Sequence, residues 1–247
     1  MSTETTRYKL TFEYDGTDFS GWQIQPDVRT VEGVIEEAFA TIYQFPIDII
    51  GQGRTDAGVH AINQTAHVDL PEKFDPEKII HAMRGLLPDD VSLKNIEPVS
   101  KEFHARFDAL SREYLYKITT QPAPLIRNTA WYVHNKLDLK LLDQCARLIL
   151  GEHDFINFCI PPDEEEMTTI STITKSEWHS DGNLLEYRIE GNRFLRHMVR
   201  RLVGLMTDIA SGKQEVDHLK NLLSNSAQKQ KAPSAPASGL HLSSVRY

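Results

Sequence analysis

Arg54 and Asp56, two positions apart, stand on the stretch Gly-Gln-Gly-Arg-Thr-Asp-Ala-Gly-Val-His-Ala that runs from Gly51 to Ala61. The apolar run Ile47 to Ile50 before it reads as a strand, and Gly51, Gly53 and Gly58 then let the backbone take conformations closed to residues with a Cβ. A carboxylate and a guanidinium on such a loop reach one bound group, and the missing Cβ atoms leave that group room. Spacing excludes two rivals. A phosphate-cradling loop needs Lys and Ser or Thr after its last glycine, but Gly53-x-x-x-x-Gly58 runs into Val59-His60. A dinucleotide fingerprint needs Gly where Asp56 stands. On residue types alone, an Asp accepting hydrogen bonds within its own turn and a solvated Arg remain the alternative.

Other chemistry-bearing residues are sparser. Cys145 and Cys159, with His153 between them, lack Cys-x-x-Cys or His-x-x-x-His ligand spacing, so two buried, reduced thiols are expected and no metal. A net charge of −8 argues against indiscriminate nucleic-acid binding, because affinity for phosphate backbones comes largely from Lys and Arg. Positive charge is concentrated locally, however: Arg188, Arg193, Arg196, Arg200 and Arg201 face Glu190 alone, a basic stripe fit for a polyanion. No apolar run approaches the ~20 residues of a membrane span, and the N-terminus lacks a secretory layout, so a cytoplasmic address is expected.

With 247 residues, 40% of them apolar and 25% charged, the chain can bury a sizeable core in one large domain or two ordinary ones. Arg7 to Tyr14 alternates and reads as a half-buried strand; Thr30 caps a helix to about Tyr43. Between them lies a polar-aromatic loop in which Trp22 reads first as core. Gln64 to Leu70 is a second alternating stretch, Asp75-Pro76 opens a helix through Leu86, and Val91 to Ile96 is a strand. Strand, helix, strand, strand, helix, strand over 7–98 is the ferredoxin-like order.

The second half supplies strands at Ser111 to Thr120 and Ala130 to Val133 and a helix from Asp138 to Leu150. An acidic loop follows at Pro161 to Glu166, then a hairpin around Ser180 to Asn183. The strongest helical pattern runs from Arg193 to Ala210. A short helix at Val216 to Leu223, a linker at Lys229 to Pro236 and a final strand at Gly239 to Val245 complete it.

Residues 53–60, Gly-Arg-Thr-Asp-Ala-Gly-Val-His, resemble the signature of the TruA-type tRNA pseudouridine synthases. Four further pieces are similar to that family: Phe103-His104-Ala105-Arg106-Phe107; Arg112-x-Tyr114-x-Tyr116; Asn192-x-Phe194-Leu195-x-His197-Met198-Val199-Arg200; and Ala237-x-Gly239-Leu240. They spread over nearly the whole chain. The resemblance implies an α+β protein of two ferredoxin-like (RRM-like) halves, 1–102 and 103–247, with antiparallel sheets backed by helices and an active-site cleft between them. It implies isomerisation of uridine to pseudouridine in the anticodon stem-loop of tRNA, at positions 38 to 40, with no cofactor or metal, by a homodimer across which one tRNA can lie.

Such a reaction breaks the N-glycosidic bond, turns the uracil and rejoins it through carbon. It needs one carboxylate at the ribose, as nucleophile or as base, and no second one because the detached ring is kept. By resemblance Asp56 is that carboxylate. Arg54 takes part in flipping the stacked uridine, at a cost of a few kcal/mol. Tyr114 stacks on the flipped base, Arg200 pairs with the carboxylate, and Leu240 walls the uracil pocket. His60 reads as structural. Glu113 departs from the pattern, where a second basic residue can stand, and bears only on RNA contacts. Two other classes compete: a catalytically silent RNA-binding module, whose RNP1-like aromatic pattern is not found, and a nucleoside hydrolase, which releases free uracil.

Overall fold

Inward-facing Tyr8, Leu10, Phe12 and Tyr14 make β1 (Thr5–Tyr14) the half-buried strand its alternation requires. The computed structural model describes residues 5–71, 75–160, 168–224 and 232–247. They form two compact units, Met1–Leu110 with Leu242–Tyr247, and Ser111–His241. In the first unit, Thr30 caps α1 (Val31–Tyr43) by accepting from the Gly33 N–H, and Ile35, Ala38 and Phe39 turn inward. After β2 (Ile50–Gly51) and β3 (His60–Pro71), Asp75 and Pro76 start α2 (Pro76–Leu86), which buries Ile79 and Met83. β4 (Val91–Pro98) closes the sheet, ordered β4-β1-β3 with β2 on β3, every pair antiparallel. This is the ferredoxin-like order expected from the sequence.

Two boundaries differ. The strand expected at Ile47 to Ile50 shrinks to Ile50–Gly51, because the Ile49 N–H bonds to Glu36 Oε1 on α1 (2.9 Å) instead of to a neighbouring strand. Conversely, β3 starts at His60 rather than Gln64, inside the glycine-rich signature.

Residues 103–110, expected to open the second part, belong to the first unit. Arg7 forks onto Asp69 (2.7 Å for both bonds) and donates to the Phe103 carbonyl (2.9 Å). His67 Nδ1 accepts the Ala105 N–H (3.2 Å), and the Tyr247 hydroxyl donates to the Ala105 carbonyl (2.8 Å). Burial, helped by the Arg7 charge, pushes the His67 pKa down to about 4, so its ring stays neutral in the folded state while the unfolded chain protonates near pH 6.5. The folded state therefore loses stability as the pH falls from about 6.5 towards 4. We expect the wild type to lose roughly 2–3 kcal/mol more than His67→Gln between about pH 7 and pH 4 in urea unfolding. Parallel losses in the two proteins would refute this.

The second unit contains β5 (Ser111–Thr119), the two-residue β6 (Trp131–Tyr132), α3 (Leu139–Leu148) and β7 (Gly151–Asp154). β8 (Ile170–Asp181), β9 (Leu184–Gly191), α4 (Met198–Ala210) and α5 (Val216–Ser224) follow, and β10 (Leu240–Arg246) starts here before its later residues join the first unit. Its sheet runs β5-β9-β8-β7, antiparallel, with β6 parallel to β5. Gly182, at φ +58°, makes the two-residue β8–β9 turn, where Asp181 pairs with Leu184. In the first unit, Asn63 Nδ2 holds the Ser243 carbonyl of β10 (2.8 Å).

Three expectations fail in the second unit. The helix read from Arg193 begins at Met198, because tertiary contacts hold the residues before it in another shape. Asn192 exchanges bonds with the Thr172 backbone (3.1 and 3.0 Å), Arg112 donates to the Asn192 carbonyl (2.9 Å), and His197 turns left-handed at φ +67°. The linker read at Lys229 to Pro236 is, in its described residues 232–236, packed chain: Ala232 and Ala235 are buried, and a Cβ on Gly204 of α4 would lie 2.3 Å from the Pro233 carbonyl oxygen. The basic stripe is also broken. Register places Arg188 opposite Leu115 and Glu177, on the sheet face away from Tyr114, and it pairs with Glu186 (3.0 Å). Both cysteines are buried thiols outside any disulfide, as expected. The acidic loop at Pro161 to Glu166 lies outside the described residues.

Candidate active site

Buried anchors on either side hold the Gly51–Ala61 loop. Gln52 and Gln64, 4% and 0% exposed, share a bond of 3.2 Å, and Gln64 Nε2 donates to the Gly53 carbonyl (3.1 Å). Buried amides must be paired, so this couple fixes where the loop leaves β2. Thr55 turns inward: its hydroxyl meets the Tyr14 hydroxyl (2.8 Å), and its carbonyl accepts the Trp22 N–H (3.1 Å). The Val59 N–H closes a turn onto the Asp56 carbonyl (3.1 Å), with Gly58 at φ +76° supplying the left-handed position. His60, 3% exposed, accepts the Gly16 N–H on Nδ1 (3.0 Å), in keeping with a structural role. With Thr55 and Val59 turned inward, Arg54 is exposed and Asp56 half-buried.

The glycines divide the work differently from the expectation. Gly58 needs its φ, and Gly51 needs its emptiness, since a Cβ there would lie 2.7 Å from the Trp22 indole. Gly53 needs neither: no protein atom would lie within 4 Å of its Cβ. Two glycines outside the Gly51–Ala61 stretch, which the sequence placed only in the turn Asp15-Gly16 and the following polar-aromatic loop, are required instead. A Cβ on Gly16 would lie 2.0 Å from the Val59 carbonyl oxygen, and one on Gly21, at φ +100°, 2.7 Å from that of Thr55. The Asp15–Trp22 segment is thus laid directly over the loop backbone, and the Asp15-Gly16 turn and the Ser20-Gly21-Trp22 run were the available signal. Trp22, 2% exposed and donating to Glu32 Oε1 (3.2 Å), is core.

The second unit carries Tyr114, Arg200 and Leu240. Half-buried Tyr114 meets Phe194 edge-on, with centroids 5.0 Å apart. Arg200, in the first turn of α4, donates from Nε to the Ala235 carbonyl (2.8 Å), and its own carbonyl accepts the Ala235 N–H (2.9 Å). The chain then runs onto Tyr116, whose hydroxyl donates to the Pro236 carbonyl (2.8 Å) and whose ring would lie 2.5 Å from a Cβ on Gly239. Burial raises the Tyr116 pKa and the Arg200 charge works against that rise, so Tyr116 acts only as a neutral hydrogen-bond donor. Leu240, 6% exposed, follows this contact directly. The structure therefore gathers Arg200 and Leu240 around Tyr116, with Tyr114 two residues along the same strand face. In the sequence Tyr116 was legible as a strand residue and as the end of the family piece Arg112-x-Tyr114-x-Tyr116, with no role of its own.

Among the described residues no group of three or more His, Cys, Asp or Glu side chains is placed to hold a metal ion. Nor is any helix of the described residues long and apolar enough to cross a membrane.

A family model described as tRNA pseudouridine synthase matches residues 10–108 and 145–247, which include Arg54, Asp56, Arg200 and Leu240; Tyr114 falls between the two stretches. Named relatives align along the whole chain. A tRNA pseudouridine synthase A of Methylacidiphilum infernorum is 35% identical over 249 residues, covering 100% of this chain and 98% of its own. Proteins of the same name from Geobacillus kaustophilus and Chlorobaculum tepidum are each 37% identical, covering 98% and 100% of this chain and 95% and 100% of their own. With most of its length matched in this way, the chain belongs to the tRNA pseudouridine synthase family, the isomerases that turn uridine into pseudouridine within tRNA.

Proposed function

We propose that this chain isomerises uridine in the anticodon stem-loop of tRNA, at positions 38 to 40, with Asp56 as the reacting carboxylate. The observation that carries the assignment is the loop itself. Its backbone is held from both sides by buried partners, which supports reading it as a preformed mount for the carboxylate. Asp56 acts at the ribose, either by attacking C1′ or by removing the proton from C2′, and in both cases the bond from N1 to C1′ breaks. The ring turns and C5 bonds to C1′, displacing the Asp56 ester in the first case and returning the proton to C2′ in the second; one proton then leaves C5 while one is gained at N1, so atoms balance with no outside donor.

Arg54, exposed beside it, takes the part of opening the base stack. Tyr114 supplies a ring face for the extruded uracil, with Phe194 packed beside it at an interplanar angle of 79°. Arg200 is the cation that pairs with the carboxylate, its side chain oriented by the Ala235 carbonyl. Leu240 is an apolar wall for uracil. A homodimer acting in the cytoplasm completes the reading.

The direct test incubates the protein with tRNA transcripts tritiated at uracil C5. Tritium should pass to water in step with pseudouridine appearing at one or more of the three positions. Release of free uracil would instead support hydrolysis, and intact tRNA recovered unchanged would remove the proposal.

A further inference from the structure

The Phe103–Phe107 motif takes no part in the reaction above, yet its turn is held as firmly as the catalytic loop. Arg7 holds the Phe103 carbonyl, Asp108 Oδ2 accepts the His104 N–H (2.8 Å), and His67 and Tyr247 hold the two polar groups of Ala105. The His104 carbonyl accepts the Asp108 N–H (3.0 Å), and the Leu110 N–H reaches the Arg246 carbonyl (2.8 Å). Such a turn has little freedom left to hide an apolar side chain. Phe107 is nonetheless 75% exposed.

The rings behind it are ordered from interior to solvent. Buried His67 lies 4.8 Å from His104, which lies 4.3 Å from Phe107 at an interplanar angle of 37°. His104 Nδ1 accepts from the N–H groups of Arg106 (3.2 Å) and Phe107 (3.4 Å), so the ring proton sits on Nε2, on the other side of the ring from the turn. The Arg106 guanidinium carbon stands 5.7 Å from the Phe107 centroid. A row of aromatic rings that ends in solvent, with a cation beside its last member, fits the π-face of an unpaired nucleobase.

We propose that Phe107 is a stacking platform for an unpaired base of the bound tRNA other than the uridine being isomerised, with the His67–His104 pair as its rigid backing. This rests on the reading of the chain as a tRNA-modifying enzyme and adds a second contact to the same substrate. Aromatic stacking is tolerant of base identity, so the contact contributes affinity and register rather than sequence choice.

The test measures binding of a tRNA transcript by fluorescence anisotropy for the wild type, Phe107→Ala, Phe107→Leu and Phe107→Trp at several salt concentrations, with thermal unfolding as the folding control. Loss of one base stack should weaken binding by roughly 10-fold in the Ala and Leu variants, and Trp should restore it. The slope of log affinity against log salt should stay unchanged, because no phosphate contact is removed. Wild-type affinity in Phe107→Ala, or in Phe107→Leu, would overturn the stacking role. So would a changed sedimentation coefficient with unchanged tRNA affinity, which would make the patch a protein interface. Binding is read without turnover, so a Phe107-dependent affinity without pseudouridine would sink the proposed reaction and leave this contact standing. Turnover with Phe107-independent affinity would do the reverse.

Discussion

Asp56→Asn is expected to bind tRNA close to the wild-type level and to form pseudouridine at least about 1,000-fold more slowly, the scale of losing a positioned base or nucleophile. The substitution is nearly isosteric, and the turn is closed through the backbone, from the Val59 N–H to the Asp56 carbonyl, which the change leaves in place. The loop and its anchors should therefore survive. Single-turnover product formation and an anisotropy titration on the same preparation check both halves of the statement. Undiminished product would end the mechanism, and product lost together with thermal stability would mean that the carboxylate is structural. A catalytically silent RNA-binding module predicts the same affinity but no product from the wild type. A nucleoside hydrolase predicts free uracil and no preference for tRNA over uridine.

Gly16→Ala should be the most damaging small change outside the reacting groups. The new methyl would lie 2.0 Å from the Val59 carbonyl oxygen, a backbone atom of the same turn that carries Asp56, and neither side has a flexible end to swing away. Overpacking against fixed backbone costs about 2–3 kcal/mol, which lowers Tm by roughly 4–12 °C for a chain of this size. Turnover should fall as well, because relief of the clash displaces Val59 and with it the Asp56 turn. Gly53→Ala is the matched control: its Cβ meets no protein atom and its φ is not left-handed, so Tm should stay within about a degree. A Gly16→Ala protein with wild-type Tm and rate would show that the Asp15–Trp22 segment does not set the loop.

These two substitutions divide what could be read early from what could not. The signature around Asp56 names the family, and the comparisons bear that out across nearly the full chain. The requirement for glycine at position 16 is invisible in it, because the partner atom is 43 positions away along the chain and is brought there by folding alone.

The same division runs through the elements. Alternation in β1, the Thr30 cap of α1, the Asp75-Pro76 start of α2 and the Gly182 turn are local, and each was legible because a few adjacent residues set the backbone there. The sequence by itself thus determined the ferredoxin-like strand order of the first unit, the family and the loop that bears Asp56. Three features were decided only by tertiary contacts. α4 starts late because the Thr172 and Arg112 contacts hold Asn192 and keep residues 193–197 out of a helix their periodicity favours. Residues 232–236 pack despite a linker's composition because Gly204 leaves room for their backbone and Arg200 binds it. Residues 103–110 join the first unit because Arg7, His67 and Tyr247 supply their hydrogen bonds. In each case a polar group is paired with a partner distant in sequence, and no local pattern records which one it found.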